Sequence, residues 1–286
     1  MARRHRPRRH RGAPPPRRSD LARRRLDAEL VRRGLAPSRA QAQADIAAGR
    51  VTVGGAPAGK AARLVAPDEP ILVLGPGPRF VGRGGEKLDA ALTRFDVAVE
   101  GRRALDLGAS TGGFTDCLLQ RGASEVMAID VGYGQLHERL RADPRVVVIE
   151  RTNVRDLRPG DLGAPAELVV ADLSFISLRA VLPAVLELTA AAAELVLLVK
   201  PQFEAGRVEA SRGRGVISDP EVWRRVLREV TAALEQQGAA IMGAMASPLT
   251  GADGNVEFLV HARTATASTI EVGAAIDRAV AEAVGR

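Results

Sequence analysis

One segment decides the fold of this chain: Ala104-Leu-Asp-Leu-Gly-Ala-Ser-Thr-Gly-Gly-Phe114. The apolar run Arg103 to Leu107 predicts a buried strand, a glycine-rich loop follows, and Phe114 to Arg121 predicts a helix. A strand, a glycine-rich loop and a helix in this order are typical of the first unit of a doubly wound sheet, whose ligands bind at the carboxyl ends of the strands. The segment therefore predicts both a fold class and the position of a binding site.

The alternation of strands and helices continues through residues 81–286. The predicted strands are Arg103 to Leu107, Glu125 to Asp130, Val146 to Glu150, Leu168 to Ala171, Leu195 to Val199, Ala239 to Ala246 and Val256 to Ala262. The predicted helices are Glu86 to Phe95, Phe114 to Arg121, Leu178 to Leu188, Glu221 to Gln237 and Ser268 to Val284. This repetition with short connections predicts an α/β fold with a mostly parallel, doubly wound, Rossmann-like sheet.

Basic charge is concentrated at the N-terminus. The net charge is +7, and residues 1–18 hold eight arginines and no acid, so the remainder carries −1. Such a tail cannot bury apolar surface, and residues 1–18 are predicted to be disordered. They either bind RNA phosphates nonspecifically or act as a solubilising extension. A small domain is predicted over residues 19–74, a linker containing Gly75-Pro-Gly-Pro78 over 75–80, and the sheet domain over 81–286.

The small domain is predicted to be α+β. Its predicted elements are a helix capped by Ser19 or Asp20 and ended by Gly34, a helix from Ser38 to Ala48, and strands at Val51 to Val53 and Ile71 to Leu74. Residues 25–42 and 46–55 resemble the S4 RNA-binding domain. The resemblance implies that a helix pair and a hairpin present basic side chains to RNA phosphates. The candidate RNA ligands are Arg32, Arg33, Arg39, Arg50 and Lys60. The alternative is that the arginines form a solvated helical face.

The glycine loop carries the cofactor prediction. Its glycines follow the order G-x-x-x-G-G rather than the G-x-G-x-x-G of dinucleotide enzymes, although a nicotinamide cofactor stays open as an alternative. Asp106 precedes the loop, and a carboxylate there suits a cationic ligand. Asp130, at the end of the next strand, is predicted to bind the two hydroxyls of an adenosine ribose. Asp156 is predicted to hold the adenine amino group. These features favour S-adenosylmethionine, which has no phosphates.

Several function classes are disfavoured. Cys117 is the only cysteine and is predicted to be a core residue, so no disulfide framework exists and a reducing, cytoplasmic location is expected. Neither a signal peptide nor a membrane span is predicted, because Ala180 to Val199 contains Pro183 and two glutamates and is better divided into a helix and a strand. No metal site is predicted, since the four histidines are dispersed.

Four charged residues are candidates for chemistry: Lys87, Asp172, Lys200 and Glu257. Methylation of a sugar hydroxyl requires a base, and a lysine can serve once its pKa is lowered. A second lysine and partial burial would favour the neutral form, and carboxylates would orient the ammonium and oppose its deprotonation. Lys200 stands before Pro201, which ends its strand at the carboxyl edge of the sheet. Each residue alone could equally be a solvated charge.

The chain from about residue 19 to 263 resembles the TlyA (hemolysin A) family, FtsJ-like 2'-O-ribose RNA methyltransferases. The resemblance rests on the motifs Arg83-Gly-Gly-Glu-Lys-Leu88, Asp106-Leu-Gly-Ala-Ser-Thr-Gly-Gly-Phe-Thr115, Ala171-Asp-Leu-Ser-Phe-Ile-Ser177, Val199-Lys-Pro-Gln-Phe-Glu204 and Ser247-Pro-Leu-Thr-Gly-Ala-Asp-Gly-Asn-Val-Glu-Phe258. It implies a catalytic Lys-Asp-Lys-Glu tetrad formed by the four candidates, with Lys200 as the base. The implied substrate is a ribose, typically of cytidine, in ribosomal RNA or a ribosomal subunit.

The predicted cofactor site follows from the motifs and the strand ends. It comprises Asp106, Gly108, Ser110, Thr111, Gly112, Gly113, Phe114, Asp130, Val131, Asp156 and Asp172. One departure from the family pattern is Val81-Gly-Arg-Gly-Gly85, where members often have serine in place of Gly82, which concerns the local loop conformation only. Two alternatives to an enzyme are a membrane-active hemolysin and a catalytically silent RNA-binding factor for ribosome assembly. The intact tetrad argues against the second.

Overall fold

The computed structural model describes residues 23–36, 38–75, 77–206, 209, 215–251, 254–268 and 270–285. The chain divides into two compact units, up to Gly77 and from Pro78 onward. The tail predicted to be disordered, residues 1–18, lies outside the described residues, as do Ser19 and Asp20. Each unit is built around its own hydrophobic core.

The first unit combines two helices with short strands. Its elements are β1 (Arg24–Arg25), α1 (Leu26–Arg32), α2 (Arg39–Ala47), β2 (Val51–Val53), β3 (Ala56–Pro57), β4 (Leu64–Val65) and β5 (Ile71–Val73). Strand β2 pairs with β3 and with β5, and β1 pairs with β4, all antiparallel. Leu26, Leu30, Ile46 and Val51 are buried together between the helices and the strands. The α+β prediction for this unit is confirmed.

The start of the first helix was predicted wrongly. The helix begins at Leu26, and Arg24–Arg25 are extended and paired with Leu64–Val65. The backbone N–H of Leu26 donates to the carbonyl of Arg63 at 2.7 Å, so the chain entering the helix is held in a β ladder. A nonlocal strand pairing therefore replaces the first predicted helical turn.

The second unit contains the large sheet. Its elements are α3 (Gly84–Arg94), β6 (Arg103–Leu107), α4 (Gly113–Gln120), β7 (Glu125–Ile129), α5 (Glu138–Arg141), β8 (Val146–Ile149), β9 (Ala166–Ala171), α6 (Leu182–Glu187), β10 (Thr189–Val199), α7 (Pro201–Glu204), α8 (Pro220–Gln236), β11 (Ala239–Ala246), β12 (Phe258–Thr264) and α9 (Val272–Val284). In the described part of the chain the strand order is β11-β12-β10-β9-β6-β7-β8. The five strands from β10 to β8 are parallel, and β12 pairs antiparallel with both of its neighbours, β10 and β11.

Apolar residues on both faces of each central strand hold this sheet between two helical layers. In β6, Leu105 and Leu107 pack in the core that contains α6, α8 and α9, and Ala104 packs in the core that contains α3 and α4. Cys117 on α4 is fully buried in the second of these cores, and burial raises the pKa of its thiol to about 12. Strands that are apolar on both faces need a helical layer on each side, and the structure has both layers. The doubly wound prediction is therefore confirmed.

Several boundaries differ from their predictions. Strand β10 begins at Thr189 rather than Leu195, and its pairing with β9 contains an irregularity between Thr189 and Glu194. The predicted helix from Leu178 to Leu188 is a 3₁₀ turn, Leu178–Ala180, followed by α6. The helix predicted from Ser268 begins at Val272, with Glu271 as its N-cap. Among the described residues, no helix is both long and apolar enough to cross a membrane.

Candidate active site

The four candidate catalytic residues form two ion pairs. Lys200 Nζ lies 2.6 Å from Asp172 Oδ1 and donates to Ser174 Oγ at 2.9 Å. Lys87 Nζ donates to Glu257 Oε2, and both of these side chains are buried. Removing either member of such a buried pair would leave an uncompensated charge, which is strongly unfavourable. The pairs therefore hold the side chains in fixed positions.

The sheet register brings three of these residues to one edge. Asp172 follows the last residue of β9, Lys200 follows the last residue of β10, and Glu257 precedes the first residue of β12. Val199 pairs with Phe258, so Lys200 and Glu257 continue the same antiparallel register beyond the strand ends. Lys87 reaches Glu257 from α3. The predicted residues thus meet at the carboxyl edge of the parallel strands, on the same side as the glycine loop.

A cavity of about 550 Å³ opens at this edge. Of the predicted cofactor residues, its walls include Gly108, Ser110, Asp130, Val131 and Asp172. A smaller depression of about 120 Å³ shares three of these residues and adds Thr111, Gly113 and Phe114. The larger volume falls in the range of sites for small-molecule ligands. Asp172 lies on the cavity wall and in the ion pair with Lys200, so the cavity adjoins the charged cluster.

The glycine loop approaches the neighbouring strand closely. Gly108 has φ +84°, and a Cβ at this position would lie 2.6 Å from the backbone oxygen of Asp172. Gly112 has φ +98°, and a Cβ there would lie 2.2 Å from Leu140. Only glycine fits both positions without strain. Gly112, predicted to contact the cofactor, lines neither depression, and its role in the structure is to allow the turn and the packing of Leu140.

Asp130 connects two loops beneath the cavity. Its carboxylate accepts from the backbone N–H of Ser110 at 2.8 Å and from that of Gly132 at 2.7 Å. Both oxygens retain a further lone pair that a ligand hydroxyl could use. Asp130 therefore stands where the sequence places a ribose ligand, at the end of β7.

Asp156 is not one of the residues on the wall of the cavity. It ends the 3₁₀ turn Val154–Asp156 and is exposed, and the cavity wall in this region is formed by Thr152, Asn153 and Val154. The 3₁₀ turn is capped by the Asn153 side chain. The prediction that Asp156 holds the adenine amino group stays a prediction, and the residues on the wall of the cavity here are the three before it in the chain.

Asp106 supports the loop from below. It is fully buried and accepts from Thr115 Oγ1 at 2.6 Å, and its other oxygen has no hydrogen-bond partner within the described ranges. Burial raises the pKa of this carboxyl to about 7, against the opposing hydrogen bond from Thr115. Because Asp106 is fully buried, the suggestion that its carboxylate faces a cationic ligand stays a prediction. Asp106 lies on the same face of β6 as Ala104, and this face is covered by α3 and α4.

Asp106→Asn is expected to change how stability depends on pH. Because the folded pKa of Asp106 lies above its unfolded value, stability falls as pH rises from about 4 to about 7 and is constant above that window. Asparagine has no proton to lose, so the wild type should lose on the order of 3 kcal/mol relative to the variant between pH 5 and pH 7.5. Urea unfolding followed by Trp223 fluorescence measures this. Parallel pH profiles for the two proteins would contradict it, and Asp156→Asn serves as the exposed control.

Sequence reasoning missed the loop after β9. Ser174, Phe175 and Ile176 line the cavity, and the Phe175 ring is 91% exposed. Gln135 also lines the cavity and accepts from Ser110 Oγ at 3.2 Å. The motif around Asp172 was recognised, but nothing in its spacing indicates which of its side chains turn toward the ligand.

The candidate RNA ligands of the first unit are largely paired with buried acids. Arg32 and Arg33 bind Glu29, Arg39 binds Asp27, and Arg50 binds Asp45. The hydrogen bond from Arg32, with that from Arg33, lowers the pKa of Glu29 to about 2 although burial opposes this shift. Such pairs reduce the positive charge that the count of arginines suggested.

Arg33 and Lys60 differ most among these candidates in how many hydrogen-bond partners they have within the first unit. Arg33 also donates to the backbone oxygens of Ala66, Pro67 and Glu69, at 2.8 to 3.1 Å. Its donors are committed to the fold of the unit. Lys60 is exposed and has no carboxylate partner among the described residues. Of the predicted RNA ligands, Arg33 therefore holds the fold of the first unit, whereas the ammonium of Lys60 is available to a phosphate.

Comparisons with known proteins cover both units. The model of the FtsJ-like methyltransferase family matches residues 80–264, and that of the S4 domain matches residues 24–71. The chain is 50% identical over 267 residues to the 16S/23S rRNA (cytidine-2'-O)-methyltransferase TlyA of Mycobacterium tuberculosis, which covers 92% of this chain and 99% of that protein. It is 39% identical to Hemolysin A of Brachyspira hyodysenteriae, over 83% of this chain and 98% of that protein. A solved structure of a putative hemolysin from Streptococcus thermophilus aligns with a TM-score of 0.73 at 36% identity, covering 93% of this chain and 98% of that one.

Proposed function

Because the chain belongs to the TlyA family of FtsJ-like methyltransferases, we propose that it transfers a methyl group from S-adenosylmethionine to the 2'-hydroxyl of a cytidine in ribosomal RNA. One observation carries the proposal: Asp172 lines the cavity and also pairs with Lys200. A cofactor in the cavity and a base at its edge would then be neighbours. The cytoplasm, where ribosomal RNA is modified in bacteria, is the proposed location.

The cavity offers the contacts that S-adenosylmethionine requires. Asp130 would accept hydrogen bonds from the ribose hydroxyls, and the segment Thr152–Val154 would form the wall beside the adenine. Ser110 and Gln135 extend the polar wall on the glycine-loop side. The mixture of apolar lining and a few placed polar groups is typical of sites for such ligands.

The proposed chemistry is a displacement at a methyl carbon. When bound, S-adenosylmethionine would supply the activated methyl group, and the thioether that is left would keep the electron pair of the broken carbon–sulfur bond. The 2'-oxygen would form the new bond to carbon as its O–H bond breaks, and Lys200 Nζ would accept that proton, which requires that the amine has first given up the proton it holds in the ion pair with Asp172. Asp172 and Ser174 hold this amine, and the Lys87–Glu257 pair fixes the opposite side of the tetrad. Holding both reactants in line can supply roughly 7–11 kcal/mol of the barrier.

The decisive test is methyl transfer by the purified chain. Ribosomal RNA or ribosomal subunits are incubated with S-adenosylmethionine labelled in the methyl group, and 2'-O-methyl positions are then mapped. The expected result is label at a cytidine 2'-oxygen that depends on the protein. Absence of label on free RNA and on both subunits would refute the activity and would favour a silent assembly factor.

The first unit is proposed to bind the RNA backbone. Free cations at its surface, such as Lys60, would contact phosphates and set affinity rather than sequence choice. The exposed Phe175 ring beside the cavity would offer a face on which an unpaired base can stack.

Lys60→Ala and Arg33→Ala are expected to have different effects. Loss of one free phosphate ligand should reduce the salt dependence of RNA affinity by about one unit of slope and leave the melting temperature unchanged. Loss of Arg33 should destabilise the first unit by about 2 kcal/mol, because the buried Glu29 carboxylate and three backbone oxygens lose a donor. Fluorescence anisotropy with an RNA fragment, at salt concentrations from about 50 to about 200 mM, measures the salt dependence of affinity. Thermal melting measures the stability of each variant. Equal effects on melting would contradict the assignment.

A hemolytic activity is the second candidate, favoured by the name of the Brachyspira relative. Lysis of protein-free liposomes by the purified chain would support it. The same preparation, tested for methyl transfer, would show whether the two activities belong to one protein.

A further inference from the structure

A buried carboxylate outside the tetrad holds the loop that follows β9. Glu204, the last residue of α7, is 4% exposed. Its oxygens accept from Ser177 Oγ at 2.5 Å, from the backbone N–H of Leu178 at 2.6 Å and from Arg179 Nε at 3.3 Å. Arg179 Nη2 in turn donates to the backbone oxygen of Glu204 at 2.9 Å. One acidic side chain thus ties α7 to residues 177–179.

The loop held in this way, residues 173–177, forms part of the site. Ser174 Oγ accepts from Lys200 Nζ at 2.9 Å. Phe175 has φ +65°, a conformation that costs a non-glycine residue energy and persists only where the surroundings impose it. Its ring packs against Phe203 with a centroid distance of 5.3 Å. Since these five residues lie outside helices and strands, side-chain contacts must hold their conformation.

We propose that Glu204 is a positioning residue for methyl transfer. It fixes the far end of the 173–177 loop, so that Ser174 keeps Lys200 Nζ in the orientation the reaction requires and the cavity wall keeps its shape. Lys200 is the N-cap of α7 and Glu204 is its last residue, so one short helix fixes both the base and the loop. The inference rests on the proposed function, because the orientation of Lys200 matters only if methyl transfer occurs.

The chain offers a matched control. Arg179 Nη1 also pairs with Glu229 Oε2 on α8 at 2.8 Å, in a partly exposed ion pair. Glu229→Gln removes a carboxylate from the same arginine and leaves Glu204 and its bonds to Ser177 and Leu178 in place. A general loss of stability in this region would affect both variants, whereas a positioning role would affect only changes at Glu204.

The experiment compares Glu204→Ala, Glu204→Gln and Glu229→Gln with the wild type. We expect Glu204→Ala to reduce the single-turnover rate of methyl transfer, per S-adenosylmethionine-binding site, by about 10- to 100-fold, the scale of a 1 Å misplacement. Its KM for RNA should stay the same. Glu204→Gln keeps one acceptor and should lose less, and Glu229→Gln should match the wild type. Amide hydrogen exchange at residues 174–179 should be faster in Glu204→Ala than in either of the other two variants.

Two different failures can be told apart. A wild-type protein that transfers no methyl group to RNA overturns the proposed function. Unchanged hydrogen exchange at residues 174–179 in Glu204→Ala overturns the positioning role, whatever the activity. A lowered melting temperature with a wild-type rate per binding site would also overturn it, because Glu204 would then contribute to folding alone.

Discussion

Lys200→Ala is expected to abolish methyl transfer to RNA while S-adenosylmethionine still binds. If Lys200 accepts the proton of the 2'-hydroxyl, its removal should reduce the rate by about 10² to 10⁴-fold, the usual contribution of a positioned base. The cofactor should still bind because the residues proposed to hold it, Asp130 and the Thr152–Val154 wall, lie on other strand ends. Single-turnover transfer and calorimetric cofactor binding measure the two effects. Full turnover in this variant would refute the assigned base.

Lys200→Arg separates proton transfer from charge. Arginine keeps the positive charge beside Asp172 and can still donate to Ser174, but it stays protonated and cannot act as a base. A base role predicts that Lys200→Arg is as inactive as Lys200→Ala. If Lys200→Arg recovers most of the activity, the residue acts through its charge, and the base must be sought elsewhere in the cluster.

The large sheet could be predicted because its strands are apolar on both faces and regularly spaced. The start of β10 could not, since alanine has little intrinsic preference for a strand and Ala190 to Ala193 lie between the β9 pairs of Thr189 and Glu194, where the Thr264 hydroxyl bonds to their backbone. The start of α1 differs from the prediction because Arg24–Arg25 pair with Leu64–Val65, which are distant in the sequence. Local patterns thus identified the elements, and nonlocal pairing set their ends.

The candidate site could be predicted in part. Asp172 and Lys200 directly follow apolar runs, so their place at the sheet edge follows from the sequence. The partner of Lys87 does not, because Glu257 is 170 positions away. Glu29 lies three and four residues before its two arginine partners, so that pairing could have been recognised from helical spacing. The role of Glu204 depends on the path of an irregular loop, and no periodicity describes such a path.

The second large effect is expected at Asp130. Asp130→Ala should weaken S-adenosylmethionine binding by about 100-fold, or about 2.7 kcal/mol, because it removes the proposed ribose ligand and leaves the N–H groups of Ser110 and Gly132 without their acceptor. Asp156→Ala is the matched control. It removes another acid after a neighbouring strand, but Asp156 is exposed and does not line the cavity, so binding should be unchanged. Calorimetric titration of both variants measures the difference. If Asp156→Ala weakens binding as much as Asp130→Ala, the adenine contacts Asp156 as the sequence predicts; if Asp130→Ala leaves binding unchanged, Asp130 is not the ribose ligand.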